Sequence, residues 1–110
     1  YRKHENKFFL HHKKFIDHQI KIGKKVLIVG DKLNFNKALE TGIISKRKIK
    51  NLISISKYAL SGDDNLLSFF NLECLRNNVK VIYNYKLKFQ ITKITKKLFI
   101  PYNYETKKFI

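Results

Sequence analysis

Lys46, Arg47, Lys48 and Lys50 place four cationic side chains within five residues, with no acid among them. Ammonium and guanidinium groups packed this closely bind phosphate, by charge and by N–H donation, and displace the counterions condensed on a polyanion. Further cations surround apolar residues near the N-terminus (Arg2, Lys3, Lys7, Lys13, Lys14) or stand in adjacent pairs (Lys24 with Lys25, Lys96 with Lys97). Other reactive types lead nowhere as directly. His4, His11, His12 and His18 have no acid or cysteine ligands at metal-binding spacing around them, so stacking, hydrogen bonding to RNA or a polar helix face is expected of them. Cys74 lies in an apolar helical pattern and is expected to be a small core residue, not a nucleophile. Asp63 and Asp64 fit capping at the positive end of a helix dipole. Val29-Gly30-Asp31 resembles the end of a nucleotide-binding strand, but lacks the following glycines that would let amides cradle a phosphate. No catalytic residue, metal or cofactor is expected.

The whole composition agrees with phosphate binding. Twenty-four Lys/Arg against 8 Asp/Glu give +16 on 110 residues, an excess that repels itself unless a polyanion compensates it. At 44% hydrophobic and 14% aromatic, the chain is too apolar for a disordered basic tail, and its length suits one domain with a modest core. The single cysteine makes no internal disulfide, and no apolar run approaches the roughly 18 residues that span a bilayer. With Tyr1 at its head and no methionine, the sequence carries the expectation of a further or processed segment upstream.

The elements that must position these cations divide the chain into a basic-aromatic N-terminal segment (1–25), a small α/β domain (26–87) and a basic, aromatic C-terminal extension (88–110). Phe8, Phe9, His12, Phe15, Ile16 and Ile20 fall near helical spacing, and Gly23 breaks that pattern. Val26–Val29 reads as a strand before a Gly30-Asp31 turn. Asn34 or Asn36 is expected to cap a short helix through Ala38, Leu39 and Glu40, ended by a left-handed Gly42. Leu52, Ile53 and Ile55 suggest a strand. Ser61-Gly62-Asp63-Asp64 is the expected start of the best helix, whose apolar surface is Leu66, Leu67, Phe69, Phe70, Leu72, Cys74 and Leu75 and which Asn77-Asn78 ends. Val79, Val81, Tyr83 and Tyr85 then alternate along a strand, and Leu87, Phe89 and Ile91 along a further extended piece. The fold class implied is α/β, a strand-helix-strand unit with basic, partly extended ends.

Two stretches carry a family resemblance. Ala38-Leu39-Glu40-Thr41-Gly42-Ile43-Ile44-Ser45-Lys46 resembles the lead-in to the C-terminal domain of large-subunit ribosomal protein L-fifteen, and 75–87, with Tyr83-Asn84-Tyr85-Lys86-Leu87, resembles its mitochondrial branch. The similarity covers roughly Val26 to Leu87. It departs from the family where Asn77-Asn78 replaces paired glycines, where the glycine-rich loop is missing around Ser54–Ser56, and in the missing Gly/Arg-rich arm. The resemblance implies a structural, non-enzymatic protein of an organellar large ribosomal subunit, in the mitochondrial matrix with the plastid as the alternative. Its implied partners are large-subunit rRNA and neighbouring ribosomal proteins, with no small-molecule substrate. It also implies that Lys46, Arg47, Lys48 and Lys50 face RNA at the domain edge, while Lys80, Lys86 and Lys88 flank the last strand. Phe8, Tyr102 and Tyr104 are the aromatics expected to stack on unpaired bases. Two alternatives stand beside this reading: another ribosomal or free nucleic-acid binder, and a membrane-surface protein using the basic-aromatic N-terminus as an interfacial helix.

Overall fold

The computed structural model describes residues 10–30, 33–35, 37–63, 65–91 and 96–110. It is an α/β protein in which the chain divides into two units, residues 1–49 and 50–110.

In the first unit, helix α1 (Leu10–Lys21) buries His12, Phe15 and Ile16, the i, i+3, i+4 face that the spacing predicts. It ends where expected, Gly23 taking φ +87° as its N–H reaches the Ile20 carbonyl at 3.1 Å. Phe8 and Phe9 lie outside the described residues. Strand β1 (Leu27–Ile28) forms within the aliphatic run and pairs in parallel with β2 (Leu39–Glu40), Leu27 level with Leu39. A strand therefore stands where a short helix was expected at Ala38–Glu40. Leu39 N–H donates to Val26 and Thr41 N–H to Ile28, and the Glu40 carboxylate accepts from the N–H groups of Leu33 and Phe35. These cross-chain bonds override the weak local helix signal. Gly42 does adopt the left-handed conformation, φ +73°, but after a strand.

Helix α2 (Lys46–Ser54) occupies the basic run and takes in Leu52 and Ile53, where a strand through Ile55 was expected. Ile49, Leu52 and Ile53 repeat at i, i+3, i+4, a helical spacing that outweighs their branching, and Ile53 is buried. The boundary between the two units falls inside this helix.

The second unit is built on a four-stranded sheet ordered β3-β4-β5-β6, from β3 (Tyr58–Leu60), β4 (Lys80–Asn84), β5 (Phe99–Asn103) and β6 (Lys108–Phe109). The first three strands run parallel and β6 is antiparallel to β5. Helix α3 (Phe69–Arg76) connects β3 to β4 and packs on β4. Paired on both sides, β4 has Val81, Ile82 and Tyr83 all buried, the continuous apolar run of an interior parallel strand rather than a simple alternation. Asn78 supplies the left-handed turn into β4 at φ +57°, as its side chain permits.

Three expectations are corrected here. The helix starts at Phe69 instead of near Asp63, because Ser61 extends the ladder to Ile82, the Asp63 carboxylate accepts from Asn84 Nδ2 at 2.9 Å, and Ser68 becomes the cap, its Oγ accepting from Asn71 N–H at 3.2 Å. Asp64 lies outside the described residues. The helix also turns Asn71, Glu73 and Cys74 inward and leaves Phe69, Phe70 and Leu72 exposed, reversing part of the expected apolar face. Asn71 reaches Ser61 Oγ at 2.8 Å and the Leu66 carbonyl at 3.0 Å, so the inward face closes a loop instead of filling a wide hydrophobic slot. Finally, residues 85–90 wind into a 3-10 helix where an extended piece was expected, since Asn84 Oδ1 accepts from Lys86 N–H and the Leu66 N–H donates to Gln90 Oε1 at 2.9 Å.

The segment expected to be an extension supplies β5 and β6. Pro101 is tolerated inside the sheet because its carbonyl, accepting from Ile110 N–H at 3.2 Å, faces β6; the missing N–H therefore falls where β6 ends and not on the β4 side.

Candidate nucleic-acid interface

Ser45 caps α2, its Oγ accepting from Lys48 N–H at 3.3 Å and its carbonyl from Ile49 N–H at 3.0 Å. At about 100° per residue, Ile49, Leu52 and Ile53 define one face, Lys46, Lys50 and Arg47 fan out from its Ile53 side over an arc of about 100°, and Lys48 lies on its Leu52 side. All four cations are exposed. Lys46 and Lys50 stand about 6 Å apart along the axis. No acid occupies the first turn, where the backbone N–H groups are already positive. Like charges at i, i+4 cost roughly 0.2–0.5 kcal/mol, and cations at this end of a helix oppose its dipole by a similar amount. An anion held there relieves both.

On α1, Lys14, His18 and Lys21 are exposed at i, i+4 and i+7, one stripe about 10 Å long, and Lys24 and Lys25 follow, exposed, after the Gly23 turn. Lys13 is exposed and engaged within its own unit, its Nζ 3.1 Å from Asp17 and 5.9 Å from the Phe35 ring centre. His12 is wholly buried, its ring 4.4 Å from that of His11, so it belongs to the core and not to a polar face. Arg2, Lys3, Lys7 and His4 lie outside the described residues.

In the second unit, Lys86 donates to Glu105 at 2.6 Å; the hydrogen bond first, and then the opposite charge, raise the lysine and lower the carboxyl from their ordinary values. Lys88 and Lys97 are exposed, and Lys96 opens a short 3-10 turn before β5. Tyr102 is buried, packed edge-on against Tyr104 at 5.0 Å and Phe109 at 4.9 Å, which removes it from the expected stacking platforms; Tyr104 is half-buried beside it. The aromatics that do reach solvent include Tyr58 (56% exposed) and Phe89 (79%), each directly following a lysine, a dipeptide signal the sequence reading passed over.

The described carboxylates are already engaged: Asp17 with Lys13, Glu40 with backbone amides, Asp63 with Asn84, Glu73 with Arg76 and Glu105 with Lys86. They leave a large cationic surplus in both units, 13 Lys/Arg against 4 Asp/Glu in residues 1–49 and 11 against 4 in 50–110. Cys74 sits in the core, where burial, and then the neighbouring Glu73 charge, push its thiol up to about 11, far from a thiolate nucleophile. Among the described residues, no helix is long and apolar enough to cross a membrane. No family model, no curated protein and no solved structure matches the chain.

Proposed function

We propose that this chain is a structural RNA-binding protein, non-enzymatic, that binds large-subunit rRNA in an organellar ribosome of the mitochondrial matrix and lies against neighbouring ribosomal proteins. The observation that carries the RNA reading is α2, which exposes Lys46, Arg47 and Lys50 at the positive end of a helix whose own first turn contains no acid. The exposed stripe on α1 and Lys24-Lys25 add sequence-independent phosphate contacts. The ribosomal assignment rests on the resemblance of residues 38–46 and 75–87. The membrane-surface alternative is weakened because α1 buries Phe15 and Ile16, the apolar residues an interfacial helix would insert.

Changing Lys46, Arg47, Lys48 and Lys50 together to Gln tests the first part. If each holds a phosphate, the slope of log affinity against log salt for structured RNA falls by about 3 to 4, at roughly 0.7–0.9 per phosphate. An unchanged slope removes α2 from the interface. Sedimentation of an organelle lysate at high salt tests the second part: co-migration with large subunits is expected, and a chain that stays at the top of the gradient even at low salt is not ribosomal.

A further inference from the structure

Because β3, β4 and β5 are parallel, their N-terminal ends share one edge of the sheet in the second unit. Tyr58 is level with Lys80, and Val81 with Phe99, so Lys57 with Tyr58, then Lys80, then Lys97 follow one another across that edge. The Lys80 N–H donates to the Lys57 carbonyl at 3.2 Å, which fixes the first step. Lys57, Tyr58, Lys80 and Lys97 are all exposed. Helix α3 ends at the same edge, bringing Arg76, whose partner Glu73 is buried. The opposite edge, where these strands finish, carries Asp63 bonded to Asn84 and Glu105 paired with Lys86. The edge where the strands begin thus gathers four cations around one exposed ring.

We propose that the cationic edge is a binding site for single-stranded nucleic acid, in which an unpaired base stacks on Tyr58 while Lys57, Lys80 and Lys97 hold the flanking phosphates. The inference rests on the reading of the chain as a nucleic-acid binder and adds a site separate from α2. The two strand spacings from Tyr58 to Lys97 cover about 10 Å, the length of about three stacked nucleotides. An exposed ring among lysines selects a single strand, since the bases of a duplex already have both faces covered. An acidic peptide would satisfy the lysines but leave the ring unused.

The sequence contains no tryptophan, so Tyr58→Trp installs a lone reporter at the site in the full chain. A short oligouridylate is expected to quench its emission saturably, whereas a blunt RNA duplex and polyglutamate are expected not to. Lys80→Ala with Lys97→Ala should raise the midpoint of quenching about tenfold or more, and Tyr58→Ala in the otherwise native chain should weaken oligouridylate binding by about 5- to 150-fold. Quenching that is absent with the single strand, or equal with the duplex or polyglutamate, overturns the proposal. In the Tyr58→Trp background, the α2 glutamine substitutions should leave quenching in place while they reduce the salt slope. Persistent quenching with an unchanged slope would overturn the α2 reading alone.

Discussion

Asn71→Ala removes the amide that closes the 61–68 loop onto α3. Its Nδ2 donates to Ser61 Oγ at 2.8 Å and to the Leu66 carbonyl at 3.0 Å, and all three residues are at most 2% exposed. Ser61 Oγ keeps its own bond to the Gly62 carbonyl, so it loses one interaction of two, but the Leu66 carbonyl is left facing a void closed to water. One lost bond at about 0.5–1.5 kcal/mol and one stranded acceptor at about 1–3 give an expected cost of about 2–4 kcal/mol. That is a large part of the 5–15 kcal/mol typical of a whole domain. Urea unfolding followed by far-ultraviolet circular dichroism measures it, with Ser68→Ala as the comparison, since loss of that cap costs only about 1 kcal/mol. Asn71→Asp sharpens the test. A carboxylate has no hydrogen to offer the Leu66 carbonyl and resists burial, so its folded pKa rises above the unfolded value of about 3.9. The variant is then least stable at neutral pH and recovers as the pH falls towards the unfolded value. Asn71→Ala within about 0.5 kcal/mol of the native chain, or an Asp variant indifferent to pH, refutes the role given to this amide.

Phe70, 37% exposed on α3, should accept Asp at a cost of about 1 kcal/mol, whereas Val81→Asp in the buried centre of β4 should abolish cooperative unfolding; equal damage from both would mean the helix face is misplaced. Cys74, with its thiol pushed up to about 11, should resist maleimide near neutral pH until urea is added, and prompt labelling of the native chain contradicts its burial. Glu105 is held below its ordinary value of 4.5 by the Lys86 hydrogen bond and then by its charge, so the pair contributes at neutral pH and fades as the pH falls through the lowered carboxyl value. In Lys86→Ala, the Glu105 carboxyl titration followed by NMR should move upward, and a stationary titration excludes the pair.

Where a local pattern and a cross-chain bond agreed, the sequence was readable. The Gly23 stop, the Val26–Val29 strand, the Asn77-Asn78 turn and a strand after α3 all follow from spacing and turn chemistry. Ser61-Gly62-Asp63-Asp64 was the expected start of α3, and only the tertiary bonds of Ser61 and Asp63 explain why Ser68 caps the helix instead. Branched residues at 53 and 55 disguised the helical spacing of 49, 52 and 53. β5 and β6 were hidden because Pro101 ordinarily argues against an interior strand, and its acceptability depends on where the partner strand ends. For the site, the run at 46–50 was visible as charge, but its placement in the first turns of a helix was not. Tyr58 and Lys57 gained meaning only from the register with Lys80.

The position of β5 has a consequence for biosynthesis. β4 needs a parallel neighbour on each side, and one of these, Phe99–Asn103, is translated after it. Until those residues leave the exit tunnel of the translating ribosome, Val81, Ile82 and Tyr83 form an uncapped hydrophobic edge, the kind of surface that recruits other nascent chains. Completion of this sheet therefore lags behind the emergence of its centre: the most apolar strand leaves the ribosome half-paired and stays so until β5 follows to seal it.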